Sequence, residues 1–268
     1  MRILKALSLA GLSLVIFSLS SCGQKDGAFV PDGYTLVWSD EFNTDGEPDK
    51  ESWDYSLGGG GWGNAEIQKY TDSRDNSFIK DGHLAIVALK EGSKWTSARL
   101  KTQFKKSWTY GYFEIKAKLP SGVGTWPAIW MMPEIDKHGG WPRSGEIDIM
   151  EAVGFDQDRI HTTAHTSAFN HKKNTQKNNN GIIKDTTTKY HIYAVEWTED
   201  YIQWFIDGEP FFKFDKLSDD YEEWPFDHNF YLILNIAIGG SWGGQEGIAS
   251  DLEKAEMDID YVRVYQKQ

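Results

Sequence analysis

Residues 230–238, Phe-Tyr-Leu-Ile-Leu-Asn-Ile-Ala-Ile, form a short and almost unbroken apolar run. Such a run reads as a strand covered on both faces. Strand signals dominate elsewhere too. Residues 34–42, 77–88, 98–104 and 110–119 are β-rich or alternating segments bounded by Gly, Pro or polar clusters. Within 111–118 the charges Glu114, Lys116 and Lys118 share one face, which predicts a half-solvated strand. Residues 190–197, 201–206 and 211–214 are joined by Thr198-Glu199-Asp200 and Asp207-Gly208, the short connectors of a meander. Residues 257–266 supply a closing strand. Helical periodicity is weak except for a turn expected near 252–255, and no repeat or dividing linker is visible. The chain is therefore expected to be all-β, a single antiparallel β-sandwich.

The first 21 residues stand apart. Arg2 and Lys5 precede an uncharged apolar-to-small run over 6–20, the pattern of a secretory signal peptide. The run ends in Leu19-Ser20-Ser21-Cys22, which resembles the bacterial lipoprotein processing site, where the Cys becomes the lipidated first residue. The other reading is a small-residue cleavage site followed by a free thiol. The expected organisation is a signal peptide over 1–21, a lipidated tether over 22–33 and one catalytic domain over 34–268. A secreted lipoprotein of the outer membrane follows, facing either the exterior or the periplasm. Cys22 is the only cysteine, so no intrachain disulfide forms.

The formal net charge of −12 becomes −14 once Arg2 and Lys5 are removed. Such an acidic surface excludes nucleic acid as a natural partner. Among 268 residues there are 12 Trp and 12 Tyr. Rings of that kind stack on the C–H-rich faces of neutral sugars, although a Trp-rich core would use them as well. The glycines of Leu57-Gly58-Gly59-Gly60-Gly61-Trp62-Gly63-Asn64 permit sharp turns and place Trp62 and Asn64 at a rim. Residues 165–189, polar and rich in Asn and Lys, read as a long surface loop.

Glu146, Asp148 and Glu151 fall within six residues of an apolar, strand-like segment. Residues two apart share a strand face, so Glu146 and Asp148 point together while Glu151 would point away. One extra residue near Ile149-Met150, a β-bulge, would bring all three to one side. Converging carboxylates repel one another and need a reason. Glycoside hydrolysis supplies one, because it uses two carboxyls of unequal proton affinity. A solvated strand edge or a calcium site of three acids would also account for the spacing.

Ser144-Gly145-Glu146-Ile147-Asp148-Ile149-Met150-Glu151 resembles the signature of glycoside hydrolase family 16, in the bulged form of laminarinases and mixed-linkage β-glucanases. The likeness runs from Trp38-Ser39-Asp40-Glu41-Phe42 through Trp62-Gly63-Asn64-Ala65-Glu66, Trp126-Pro127-Ala128-Ile129-Trp130-Met131 and Ala237-Ile238-Gly239-Gly240 to Asp260-Tyr261-Val262-Arg263-Val264-Tyr265. It implies a jelly-roll, concanavalin-like sandwich with a substrate cleft on the concave face. It also implies a retaining endo-β-glucanase acting on β-1,3- or mixed β-1,3/1,4-glucan, with Glu146 as nucleophile, Glu151 as acid/base and Asp148 as their support. His165 matches a histidine near the acid/base. Trp126, Trp130 and Trp141 match aromatic subsite walls, the first two reading equally as core. Asn64, Glu66 and Arg99 resemble groups that bind sugar hydroxyls on the non-reducing side of the cut, and Trp242 would line the cleft near the reacting sugar.

The resemblance implies no cofactor for catalysis. It does imply a structural calcium held by the Glu41 and Gly82 carbonyls and the Asp260 side chain. The expected partners are a β-glucan polysaccharide and, through Cys22, a membrane; the chain is expected to be a monomer. Two further readings stay open: a galactanase of the agarase or carrageenase type, and a glucan-binding lipoprotein without activity. The charge of −14 disfavours sulfated galactans, and the second reading would predict a missing carboxylate, which is not seen.

Overall fold

The computed structural model describes residues 29–268. The expected signal peptide, Cys22 and the first part of the expected tether lie outside the described residues. The strands in chain order are β1 (Tyr34–Asp40), β2 (Asp54–Tyr55), β3 (Gln68–Tyr70), β4 (Ser77–Lys80), β5 (His83–Glu91), β6 (Lys94–Ser97), β7 (Arg99–Lys101), β8 (Gly111–Lys118) and β9 (Thr125–Pro133). They continue with β10 (Glu146–Glu151), β11 (Arg159–His165), β12 (Lys177–Ile182), β13 (His191–Trp197), β14 (Tyr201–Ile206), β15 (Glu209–Asp215), β16 (Phe230–Ile238) and β17 (Lys254–Lys267).

These strands build two sheets. A ten-stranded sheet runs β15-β14-β13-β8-β17-β5-β6-β3, with β1 also paired to β17 and β4 to β5. A seven-stranded sheet runs β12-β11-β10-β9-β16-β7-β2. Pairing is antiparallel throughout except between β3 and β6. The strand β16 lies between β9 and β7, and all nine of its residues are buried, as its apolar run requires. The core between the layers joins Phe113, Ile115, Trp197 and Trp204 of one sheet to Met131, Ile147, Ile149 and Leu232 of the other.

Four local expectations change. The segment 77–88 is a hairpin rather than one strand, because Asp81 and Gly82 take positive φ of 52° and 78°. The turn expected at 252–255 is not helical; β17 begins at Lys254. The polar stretch 165–189 contains β12, which pairs along β11 as an edge strand of alternating exposure, so its Asn and Lys side chains decorate a sheet edge. Glu114 is fully buried, and the half-solvated reading of β8 does not hold at that position. Tyr261 donates to Glu114 at 2.8 Å, and burial pushes its carboxyl up to about 7.

Part of the expected tether belongs to the folded body. The Phe29 ring lies 6.0 Å from that of Phe205, and Val30 packs on the small cluster of Tyr112, Ala194, Phe205 and Tyr265. Burial of apolar surface thus begins before Tyr34.

Candidate active site

The strand β10 carries the three acids. On β11, Asp148 pairs with Thr163 and Glu151 with His161, so three steps along β10 match two on its neighbour. On β9, Asp148 pairs with Trp130 and Met150 with Ile129, two steps against one. The shift turns Ile147, Ile149 and Met150 into the core and leaves Glu146, Asp148 and Glu151 on the cleft side. The Asp148 carbonyl at the shift accepts from Trp204 Nε1 at 2.8 Å, a bond buried between the two sheets. Gly145 sets the entry to the strand. Its φ is 89°, and a Cβ there would stand 2.9 Å from the Phe226 ring.

The cleft, about 680 Å³, crosses the seven-stranded sheet. It brings together the catalytic and sugar-binding residues read from the sequence: Asn64, Glu66, Arg99, Trp126, Trp130, Trp141, Glu146, Asp148, Glu151, His165 and Trp242. Trp126 Nε1 donates to Glu151 Oε1 at 2.9 Å, and Trp130 Nε1 to Asn235 Oδ1 at 2.7 Å. Both rings are therefore cleft groups, which resolves the core alternative. The Arg99 guanidinium lies between the rings of Trp62 and Trp130, 4.8 and 4.7 Å from their centroids. Glu66 accepts from Asn64 Nδ2 (3.1 Å), Gln68 Nε2 (2.6 Å) and Tyr70 OH (3.3 Å), so it is a held acceptor rather than a loose surface charge.

On the other flank, Trp141 meets His165 at 5.9 Å and His171 at 5.0 Å between centroids, with Lys172 Nζ 4.8 Å over its ring. Trp242 stands edge-on to Trp126 (5.4 Å) and to His161 (4.8 Å). Close backbone approach places it: a Cβ on Gly243 would lie 2.7 Å from the Gly239 carbonyl and 2.9 Å from Trp126 Cβ. His171, Lys172, Gln176, Asn178 and Asn235 line the cleft and escaped the sequence reading. Asn235 carried a signal, being the lone amide in the apolar run of β16. The others carried none, because the stretch 165–189 was read as loop.

Burial raises all three carboxyls, and repulsion adds to it: from Glu151 at Glu146, from Glu146 and Glu151 at Asp148, and from Glu66 at Glu151. Asp148 is held well above the usual carboxyl range, by burial first, then by Glu146 and Glu151, and by a hydrogen bond with Glu146. His165 Nε2 lies 3.4 Å from Asp148 and 3.7 Å from Glu146. Burial drives that imidazole down to about 3, so it stays neutral and offers no countercharge. Burial, then the charge of Glu151, lifts Glu146 to about 8, against the hydrogen bond with Trp141, the charge of Arg99 and the bond from Asp148, each of which favours its ionised form. Glu151 is lifted to about 7 by burial, against the Trp126 bond that favours its anion. The hydrogen-bond partners of the two glutamates differ, but in the free protein Glu146 is held above Glu151, so it is the partners and not this order of proton affinities that distinguish nucleophile from acid.

The glycosyl hydrolases family 16 profile matches residues 64–263. The chain belongs to this family. A β-glucanase of Rhodothermus marinus is 51% identical over 243 residues, covering 87% of this chain and 85% of that one. The X-ray structure of the laminarinase from Rhodothermus marinus superposes with a TM-score of 0.84 at 48% identity, over 87% and 97% of the two chains. SCLam, a non-specific endo-β-1,3(4)-glucanase of family 16 crystallised as a mutant with a 1,3-β-D-cellobiosyl-glucose at its active site, superposes at 0.86 with 42% identity, over 90% and 98%. Likenesses of this extent fix the family 16 jelly roll as the fold.

The residues expected to hold calcium meet at one end of the ten-stranded sheet, where Asp40 pairs with Val262 and Leu84 with Ile259. There the Asp260 carboxylate faces Lys116 Nζ at 2.9 Å and His83 Nε2 at 3.8 Å, and Glu41 holds Arg263 through two bonds of 2.8 and 2.9 Å. A single carboxylate already countered by an ammonium is a poor fit for a cation that takes six to eight oxygens.

Proposed function

We propose that this family 16 hydrolase is a retaining endo-β-1,3(4)-glucanase, with β10 carrying its signature in the bulged form. The observation that carries the reading is the set of three carboxyls on one cleft face with unequal hydrogen-bond environments. In the first step Glu146 attacks the anomeric carbon while Glu151 gives its proton to the departing glycosidic oxygen. In the second, water attacks the glycosyl-enzyme and yields its proton to Glu151, freeing Glu146. Asp148 stays between them as the proton-bearing support. Arg99, Asn64 and Glu66 grip sugar hydroxyls on the non-reducing side, against the Trp62 and Trp130 rings. Trp126 and Trp242 frame the reacting sugar, and Trp141 the opposite arm. Parallel digestion of laminarin, mixed-linkage glucan and agarose, with anomers followed by NMR, tests this. Cleavage of the first two with β-anomer appearing first is expected; early α-anomer sinks the retaining mechanism, and cleavage of agarose alone sinks the substrate class.

We further propose a monomer, which light scattering checks, anchored in the outer membrane through a lipid on Cys22. Support comes from the Leu19-Ser20-Ser21-Cys22 string and from the substrate, since large glucans cross an outer membrane poorly. Cys22→Ala is expected to leave soluble protein or an unprocessed precursor; a variant that still partitions into detergent shows that the anchor lies elsewhere. Calcium at Glu41, Gly82 and Asp260 is proposed in a narrow form, in which the ion binds only by displacing Lys116 from Asp260. A higher unfolding midpoint in calcium than in chelator, enlarged by Lys116→Met, is expected; no difference in either protein removes calcium from the account.

A further inference from the structure

A second group of metal-ligating side chains lies outside the acids of β10. His138 belongs to the loop between β9 and β10, three residues before Trp141, whereas Asp227 and His228 lead into β16. One ligand atom from each of the three lies within 4.8 Å of the others. His138 Nε2 stands 4.0 Å from Asp227 Oδ1, and His228 Nδ1 stands 3.2 Å from the same oxygen. A tetrahedral cation with bonds of about 2.1 Å to imidazole nitrogen and carboxylate oxygen separates its ligands by about 3.4 Å. The two observed separations bracket that value.

We propose that His138, Asp227 and His228 form a binding site for a borderline divalent transition cation of the Zn²⁺ class. An ion pair alone does not explain the arrangement. Lys137 Nζ engages Asp227 Oδ2 at 2.8 Å and leaves Oδ1 turned to the imidazoles. His138 Nε2 is buried and meets no hydrogen-bond partner among the described residues, whereas His228 presents Nδ1 to the Asp227 oxygen. Orphaned buried nitrogens are costly unless something binds them. Neither ring is loose: His138 stacks on Tyr221 at 4.6 Å and 12°, and His228 packs on Phe230 at 5.1 Å. Two imidazoles and one carboxylate suit zinc, cobalt or nickel better than calcium or magnesium, which prefer oxygen. The Asp227 side chain is half exposed, so water can complete the coordination.

The ion would tie the loop that carries Trp141 to the start of β16. That loop is already tight at its base, where Ser144 Oγ accepts from the His138 backbone at 3.0 Å and donates to the Gly139 carbonyl at 2.7 Å. The site does not depend on the glucanase reading, because its ligands are not the cleft acids. Glu146, Asp148 and His165 are the other trio with ligand atoms within 4.8 Å among the described residues, and the test must separate the two.

The experiment titrates Zn²⁺ by calorimetry, and Co²⁺ by visible absorption, into chelator-stripped, tag-free protein carrying Cys22→Ala. One ion per chain and a d–d band are expected. His138→Ala and, independently, His228→Gln should each weaken binding by more than about 100-fold, the scale on which even outer-shell losses act. Glu146→Ala should leave it unchanged. Circular dichroism checks that each variant is folded, and either histidine variant alone suffices if the other misfolds. Absence of stoichiometric binding, binding that survives both histidine substitutions, or binding lost with Glu146→Ala overturns the proposal.

Discussion

Glu151→Ala is expected to slow glucan hydrolysis by on the order of 10²- to 10⁴-fold while sparing the first step on an aryl glycoside with an acidic phenol. A phenolate departs without protonation, whereas a sugar hydroxyl does not. The glycosyl-enzyme then accumulates, and azide, which needs no general base, should release it as the β-glycosyl azide. Glu146→Ala should lose more than about 10⁴-fold on both substrates, because no covalent intermediate can form. Azide should then attack directly in the vacated space and give the α-glycosyl azide. Asp148→Asn keeps a hydrogen bond to Glu146 but cannot carry the proton, so both steps should weaken less than in either glutamate variant. Azides of the opposite configurations would require the two glutamate roles to be exchanged. Retention of most activity by both glutamate variants would mean that these carboxyls are not the catalytic centre.

Trp204→Phe is expected to lower stability by roughly 2–4 kcal/mol and to depress kcat well beyond that of a matched control. The stability loss combines a cavity with a buried carbonyl deprived of its donor. That carbonyl belongs to Asp148, at the register shift that sets the acids, so the loss should reach the chemistry as well. Trp197→Phe is the control. Trp197 is equally buried and donates to the Phe226 carbonyl at 3.2 Å rather than to the β10 backbone. Both variants should unfold earlier in denaturant, and only Trp204→Phe should lose kcat when assayed well below its midpoint. Equal kcat in the two would show that the indole bond has no part in aiming the acids.

The sandwich was legible because strand patterning is local: β16 announced itself by an apolar run, and the β13-β14-β15 meander by Asp207-Gly208. The acids were legible because three carboxyls in an apolar segment have few uses. What stayed hidden depends on partners distant in sequence. Glu114 looked solvated because its own strand alternates, yet its burial comes from neighbours such as Tyr261, which reaches it from β17. The edge strand β12 was masked by polar composition, which an edge tolerates and a loop prefers, and with it went Asn178 on the cleft wall. His161 sets its ring against Trp242, a contact that only the fold creates.

The strand order of the seven-stranded sheet also works as a ruler. Neighbouring strands lie about 4.8 Å apart. Arg99 on β7 is therefore some three rungs, about 14 Å, to one side of the acids on β10, and Asn178 on β12 is two rungs, about 10 Å, to the other. A polymer draped across the rungs rests on a long arm and a short one. At the moment of scission its two halves sit on platforms of different width, and the half on the narrower platform has less to let go of.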